Sequence, residues 1–202
     1  MLGLPKSTER TMPLAKSDFF ERFGVKGRER FRMDAEISRM AIVAFVSPET
    51  IPAWPKGKGG FYVVALQLKA RDASSATLSL IAEKIRQRLV FALEFGNETQ
   101  LAVPWKRLVR GEWKAAEEQK ILLRQDAEET WLGAIADIAG LKPGSEAEIE
   151  ERFAERDRRE RTLAEIDKLE KAYYKERQMR RKCELHDRIQ ELKRKIKQGG
   201  RK

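Results

Sequence analysis

The sequence predicts an α+β protein: a small, mainly antiparallel sheet with helices packed on it, followed by a long charged tail built as a long helix, a coiled coil or a helical hairpin. Three observations carry this expectation. Between Glu36 and Trp105, apolar β-branched runs alternate with turn signals and one amphipathic helix. From Glu146 to Gln198 there is neither Gly nor Pro, and nearly every residue is a good helix former. Charged residues make up 37% of the 202, more than most stably folded domains need, so part of the chain is expected to be extended and solvated.

The elements follow in order. Residues 1–16, MLGLPKSTERTMPLAK, carry two prolines and little periodicity and read as an extended lead-in. A globular domain is expected over 17–141. Ser17-Asp18 is read as the cap of a short helix, FFERFGV, that stops at Gly24, and a second short helix covers Lys26–Arg32. EISRMAIVAFV, Glu36–Val46, is a strand ending at Ser47-Pro48. IPAWPKGKGG is a loop, and FYVVALQLKA, Phe61–Ala70, is a central strand because its first half is apolar on both faces. SSATLSLIAEKIRQ begins with a Ser cap, places Leu78, Ile81 and Ile85 on one stripe, and is expected to cover one face of the sheet.

RLVFALEF and TQLAVPW are two more strands, joined by the hairpin turn Gly96-Asn97. A further strand is expected near Arg107–Trp113 or Lys120–Leu123. AEETWLGAIADIAGL is an amphipathic helix carrying Trp131, Ile135 and Ile138 and closed by Gly140, and KPGS, Lys142–Ser145, marks the domain boundary. The tail spans 145–198, with a disordered end at 199–202. Its apolar positions form two runs, Leu163, Ile166, Leu169, Tyr173 and then Leu185, Ile189, Leu192, Ile196. The runs do not share one heptad frame, so either a coiled coil is interrupted near Arg177–Lys182 or the chain folds back there as a hairpin. A single helix is favoured, because KERQMRRK holds no turn residue.

Net charge is +10, distributed unevenly. Ser145–Tyr174 has ten acidic and seven basic residues, net −3, whereas Lys175–Lys202 has twelve basic and four acidic, net +8. Twelve cations in that segment suit a phosphate backbone, with salt-sensitive and sequence-independent binding. The candidate contacts are Arg177, Arg180, Arg181, Lys182, Arg188, Lys193, Arg194, Lys195 and Lys197, joined by Lys56 and Lys58 of the glycine-rich loop. That loop lacks Gly-x-x-x-x-Gly-Lys-Ser/Thr, so it is no nucleotide P-loop. The seam Leu185, Ile189, Leu192, Ile196 is expected to dock on a partner helix, since an apolar seam needs burial.

Catalytic and metal sites are not assigned. Cys183 and His186 share a helix face at i, i+3, but a structural zinc needs four ligands. The single His lies in the most charged part of the chain, far from the setting of a nucleophilic triad. LQLKA puts Gln67 and Lys69 on one strand face before a helix, as in nucleases of the PD-(D/E)xK type. The carboxylates for Mg²⁺ are missing from that strand, leaving Asp34 or Glu36 to supply one. No cofactor is expected. A lone Cys fits a reducing, cytoplasmic setting, and no run of about 18 apolar residues is present to span a membrane.

Three segments resemble a known family. LGLPKSTERTMPLAKSDFFE, VSPET (Val46–Thr50) and the tail positions Leu169-Glu170-Lys171, Lys175-Glu176-Arg177-Gln178, Arg181-Lys182 and Glu184-Leu185 are similar to motifs of the bacterial proteins called domain of unknown function 4391. The sequence departs from that pattern at Met179-Arg180 and at His186. The resemblance implies a place beside helicase-like and DNA-methyltransferase genes of phage-defence or restriction type, and no catalytic residue. It points to a non-catalytic accessory subunit of a DNA-processing complex, partnered by a helicase- or methyltransferase-type protein or by itself through the tail. The alternatives are a stand-alone nucleic-acid-binding protein and a degenerate PD-(D/E)xK-like nuclease.

Overall fold

A computed structural model describes residues 2–57 and 59–199. Lys58 and residues 200–202 of the terminal segment lie outside them, and Gly199 still belongs to the last helix. The chain divides into two units, Met1–Glu146 and Ala147–Lys202.

The first unit is built on one six-stranded sheet whose spatial order repeats the chain order: β1 (Glu9–Pro13), β2 (Ile37–Val46), β3 (Phe61–Leu68), β4 (Leu89–Phe95), β5 (Glu98–Pro104), β6 (Leu108–Ala115). All neighbours are antiparallel except β3 and β4, which are joined by helix α3 (Ser75–Ile85) and run parallel. A parallel pair needs such a crossover, whereas β4 and β5 need only Gly96-Asn97, with Gly96 at φ 59°. β6 takes the first of the two places expected for it; Ile121 of the other is tied instead to the Leu2 carbonyl.

Residues 6–13 are more structured than a lead-in. A 3₁₀ turn at Lys6–Thr8 feeds β1, the edge strand paired to β2. The sequence hides this strand because every residue of it is exposed and no alternation marks it. Helix α1 (Lys16–Phe23) also begins earlier than expected. Ala15 is its N-cap, so Ser17 and Asp18 lie in the first turn and do not cap it. Helix α2 covers Gly27–Glu36.

Helices cover both faces of the sheet, where the sequence suggests one. Val64, Leu66, Phe91 and Leu93 face α1, α2 and α3 in a core with Phe19, Phe20, Met33, Leu78 and Ile81. Residues one position along a strand point to the other face. There Phe61 meets Trp131 of helix α4 (Ala127–Ala139), with ring centroids 5.5 Å apart. The physical reason is the composition of β3 and β4: Val63, Val64, Leu66, Val90, Phe91 and Leu93 are all sequestered from water, so each face needs a cover.

The VSPET stretch is a turn rather than a site. Ser47 and Thr50 are buried, the Ser47 N–H donates to the Thr50 hydroxyl at 3.0 Å, and that hydroxyl donates to the Phe45 carbonyl at 2.9 Å. Gly60 closes the same loop at φ 142°, where an added Cβ would meet the Val46 carbonyl oxygen at 2.5 Å. Thr50→Val keeps the shape and strands the Ser47 N–H, so it is expected to cost about 1–3 kcal/mol, read as a lower urea midpoint. An unchanged midpoint would show that the main chain alone holds the turn.

Candidate nucleic-acid interface

The second unit is a helical hairpin. Helix α5 (Glu146–Lys175) and helix α6 (Met179–Gly199) are separated by Glu176–Gln178, and α6 turns back along α5. Ile166, Ile189 and Leu192 are buried together, with Leu169, Tyr173 and Ile196 packed against them. Leu185 is half-buried. The helix that the seam packs against is therefore the chain's own α5.

The favoured single helix is thus corrected, and the cause is Glu176. Its carboxylate accepts the N–H groups of Arg177 and Gln178, both at 2.8 Å. Those groups lose their helical partners where the chain turns, and a side-chain acceptor replaces them. The Gln178 N–H is the main reason that the Glu176 carboxyl is held below its ordinary range, with smaller help from the Arg177 N–H and the Arg181 charge. No glycine or proline is needed, so the turn leaves no conventional mark in the sequence.

Folding back redistributes the charge of the tail. Arg188 pairs with Glu191 at 2.9 Å and with Glu165 of α5 at 3.5 Å. Lys193 reaches Glu170 of α5 at 2.7 Å, and Lys195 reaches Glu191 at 2.7 Å. Arg180 pairs with Glu184 at 3.3 Å while remaining almost wholly exposed, a geometry that contributes little. The Lys182 ammonium lies 4.9 Å from the centre of the Tyr173 ring. Among the described residues, Arg177, Arg181, Arg194 and Lys197 have no ion-pair partner. The acidic residues that α5 contributes lie along the stem, and the turn end keeps its charge. Lys175–Lys182 has five basic residues and one acidic, net +4.

The same end exposes apolar side chains. Tyr174 is 81% exposed and Met179 75%, on either side of the turn. Cations interleaved with a stacking ring are what a single-stranded or distorted nucleic acid binds, and an apolar wedge beside them can enter a base step.

The remaining sequence candidates fall elsewhere. Lys56 is exposed on the β2–β3 loop, whose Trp54 is buried and donates its indole N–H to the Arg124 carbonyl at 2.8 Å. Cys183 and His186 are both exposed on α6. The carboxylates of the nuclease reading are occupied. Asp34 accepts from Lys16 at 2.6 Å, and Glu36 accepts the N–H and hydroxyl of Ser74 at the start of α3. The Lys69 ammonium donates to the Asp34 carbonyl. Among the described residues, no three His, Cys, Asp or Glu side chains are grouped to hold a metal. The residue beside Gln67 that the sequence does not reveal is Glu94. Register places it on β4 opposite Gln67, as a parallel pairing distant in sequence.

A family model described as Domain of unknown function (DUF4391) matches residues 2–196. The chain belongs to this family. In this DUF4391 protein the matched span takes in the edge strand, the VSPET turn and the whole of the hairpin seam. No curated protein and no solved structure matches the DUF4391 chain. Among its described residues, no helix is long and apolar enough to cross a membrane.

Proposed function

We propose that this protein is a non-catalytic interaction subunit of a DNA-processing assembly of the phage-defence or restriction type, and that the turn end of its α5–α6 hairpin engages nucleic acid. The observation that carries the reading is the turn end itself: net +4 within eight residues, with exposed Tyr174 beside them and exposed Met179 among them, next to a stem in which Arg188 and Lys193 are ion-paired to α5. The assembly part rests on the gene neighbourhood that the family resemblance implies. Carboxylates engaged in structural contacts support a role without catalysis.

Binding of a labelled duplex and a labelled single strand, followed by anisotropy across a salt series, tests the interface. Phosphate contacts make log affinity fall with log salt by about 0.9 per contact on a duplex. The triple variant Arg177→Ala, Arg180→Ala, Arg181→Ala is expected to flatten that slope by about 2–3 and to weaken binding at low salt. Tyr174→Ala is expected to cost about 1–3 kcal/mol on the single strand, with less effect on the duplex. Binding that is absent at low salt, or untouched by the triple variant, sinks the interface. Co-sedimentation with the products of neighbouring genes separates a subunit from a protein that binds nucleic acid alone.

A further inference from the structure

The face of the sheet that carries α4 is only partly covered. Beside the helix, Val43, Ala92, Glu94 and Thr99 floor a cavity of about 440 Å³, with Leu2 and Glu117 at its walls. Glu94 stands second from the end of β4, between Gln67 of β3 and Thr99 of β5 in register. Its carboxylate is half-buried and, among the described residues, has neither a hydrogen-bond donor nor an ion pair.

Glu94 is unlike the other partly buried carboxylates of this unit. Asp34 is held by Lys16, Glu36 by Ser74, and Glu98 by Arg71 at 2.9 Å. Sequestering a carboxylate without a partner costs stability. Burial accordingly pushes the Glu94 carboxyl up. Gln67 beside it is neutral, and Glu117 at the wall adds a second negative charge. Val43 and Ala92 of the floor and Leu2 of the wall are apolar, while Thr99 and Gln119 add neutral polar groups to the lining. A concave site that combines apolar surface with placed negative charge selects a cation carried on an apolar stem.

We propose that this cavity binds an alkylammonium or guanidinium group carried on an apolar stem, with the Glu94 carboxylate as counter-ion and Leu2, Val43 and Ala92 against the methylenes. A free polyamine and the Lys or Arg side chain of a partner protein share this chemistry. The site is independent of the hairpin, so the triple arginine variant keeps it.

Amide NMR titrations of the full chain with spermidine, and separately with N-acetyl-arginine amide, test the proposal. Saturable shifts at Ala92, Glu94 and Thr99 are expected from at least one probe, with affinity about tenfold or more weaker in Glu94→Gln. Shifts with spermidine alone assign a free polyamine, and shifts with the arginine amide alone assign a partner's side chain. Glu94 carboxyl titration followed by ¹³C gives a second readout that needs no variant: saturation with the probe lowers its midpoint. Equal affinity in Glu94→Gln, no saturable shift with either probe, or a midpoint unmoved at saturation overturns the proposal.

Discussion

Phe91→Ala is expected to remove about 3–5 kcal/mol of stability, the largest loss from any single truncation considered for the first unit. Phe91 is fully buried on β4. It lies beside Val64 across the parallel pairing and Ala102 across the antiparallel one, within the core that α1, α2 and α3 cover. The benzyl group leaves a cavity that rigid strands on both sides cannot close, so a cavity cost adds to the lost transfer energy. Domains hold about 5–15 kcal/mol in total, so the variant stands near the threshold of folding. Denaturant midpoints measure the effect. Phe31→Ala on α2 is the control, because Phe31 is 78% exposed and its truncation should change stability by about 0.5 kcal/mol or less. Similar midpoints for the two variants would contradict the core described here.

Leu192→Ala is expected to cost the hairpin about 2–5 kcal/mol. Among the described residues, only Ile166, Ile189 and Leu192 are buried between α5 and α6, so one truncation removes a large part of what holds α6 down. The ion pairs across the stem are exposed and offset little of that loss. Amide hydrogen exchange reads the outcome locally: protection should fall across Met179–Lys197 and remain in the β-sheet. Arg194→Ala, on an exposed position of the same helix, should leave exchange as it is. Retained protection in Leu192→Ala would mean that contacts other than the seam hold α6.

Much of this architecture is legible where the determining contact is local. Ser74 accepts the Thr77 N–H as the cap of α3, and Gly24 and Gly140 end α1 and α4 in the left-handed conformation, as their sequence positions suggest. The β4–β5 hairpin follows from two turn residues. What the sequence hides depends on partners distant in the chain or on unconventional chemistry. β1 is a strand because β2 is there to receive it. The hairpin turn depends on one glutamate side chain accepting two main-chain N–H groups, the part that a capping Ser or Asp commonly plays.

The candidate site shows the same division. Counting residues locates the +8 segment but treats its cations as equal. Which of them remain uncompensated depends on where Glu165 and Glu170 come to lie once α6 folds back. The opposite case is Glu94, a residue without any motif, which becomes visible only when β3 and β4 are laid side by side.

The order of the sheet bears on how the protein is made. Because β1 to β6 lie side by side in the order in which they are synthesised, each new strand finds its template already in place at the growing edge. No strand must be inserted between two earlier ones, and the longest excursions between neighbours are the α1–α2 segment, the β2–β3 loop and the α3 crossover. Pairings of short sequence separation lower the loop-closure entropy that slows β-rich folds. The sheet can therefore assemble by accretion as the chain leaves the ribosome, with β6 the last strand to arrive.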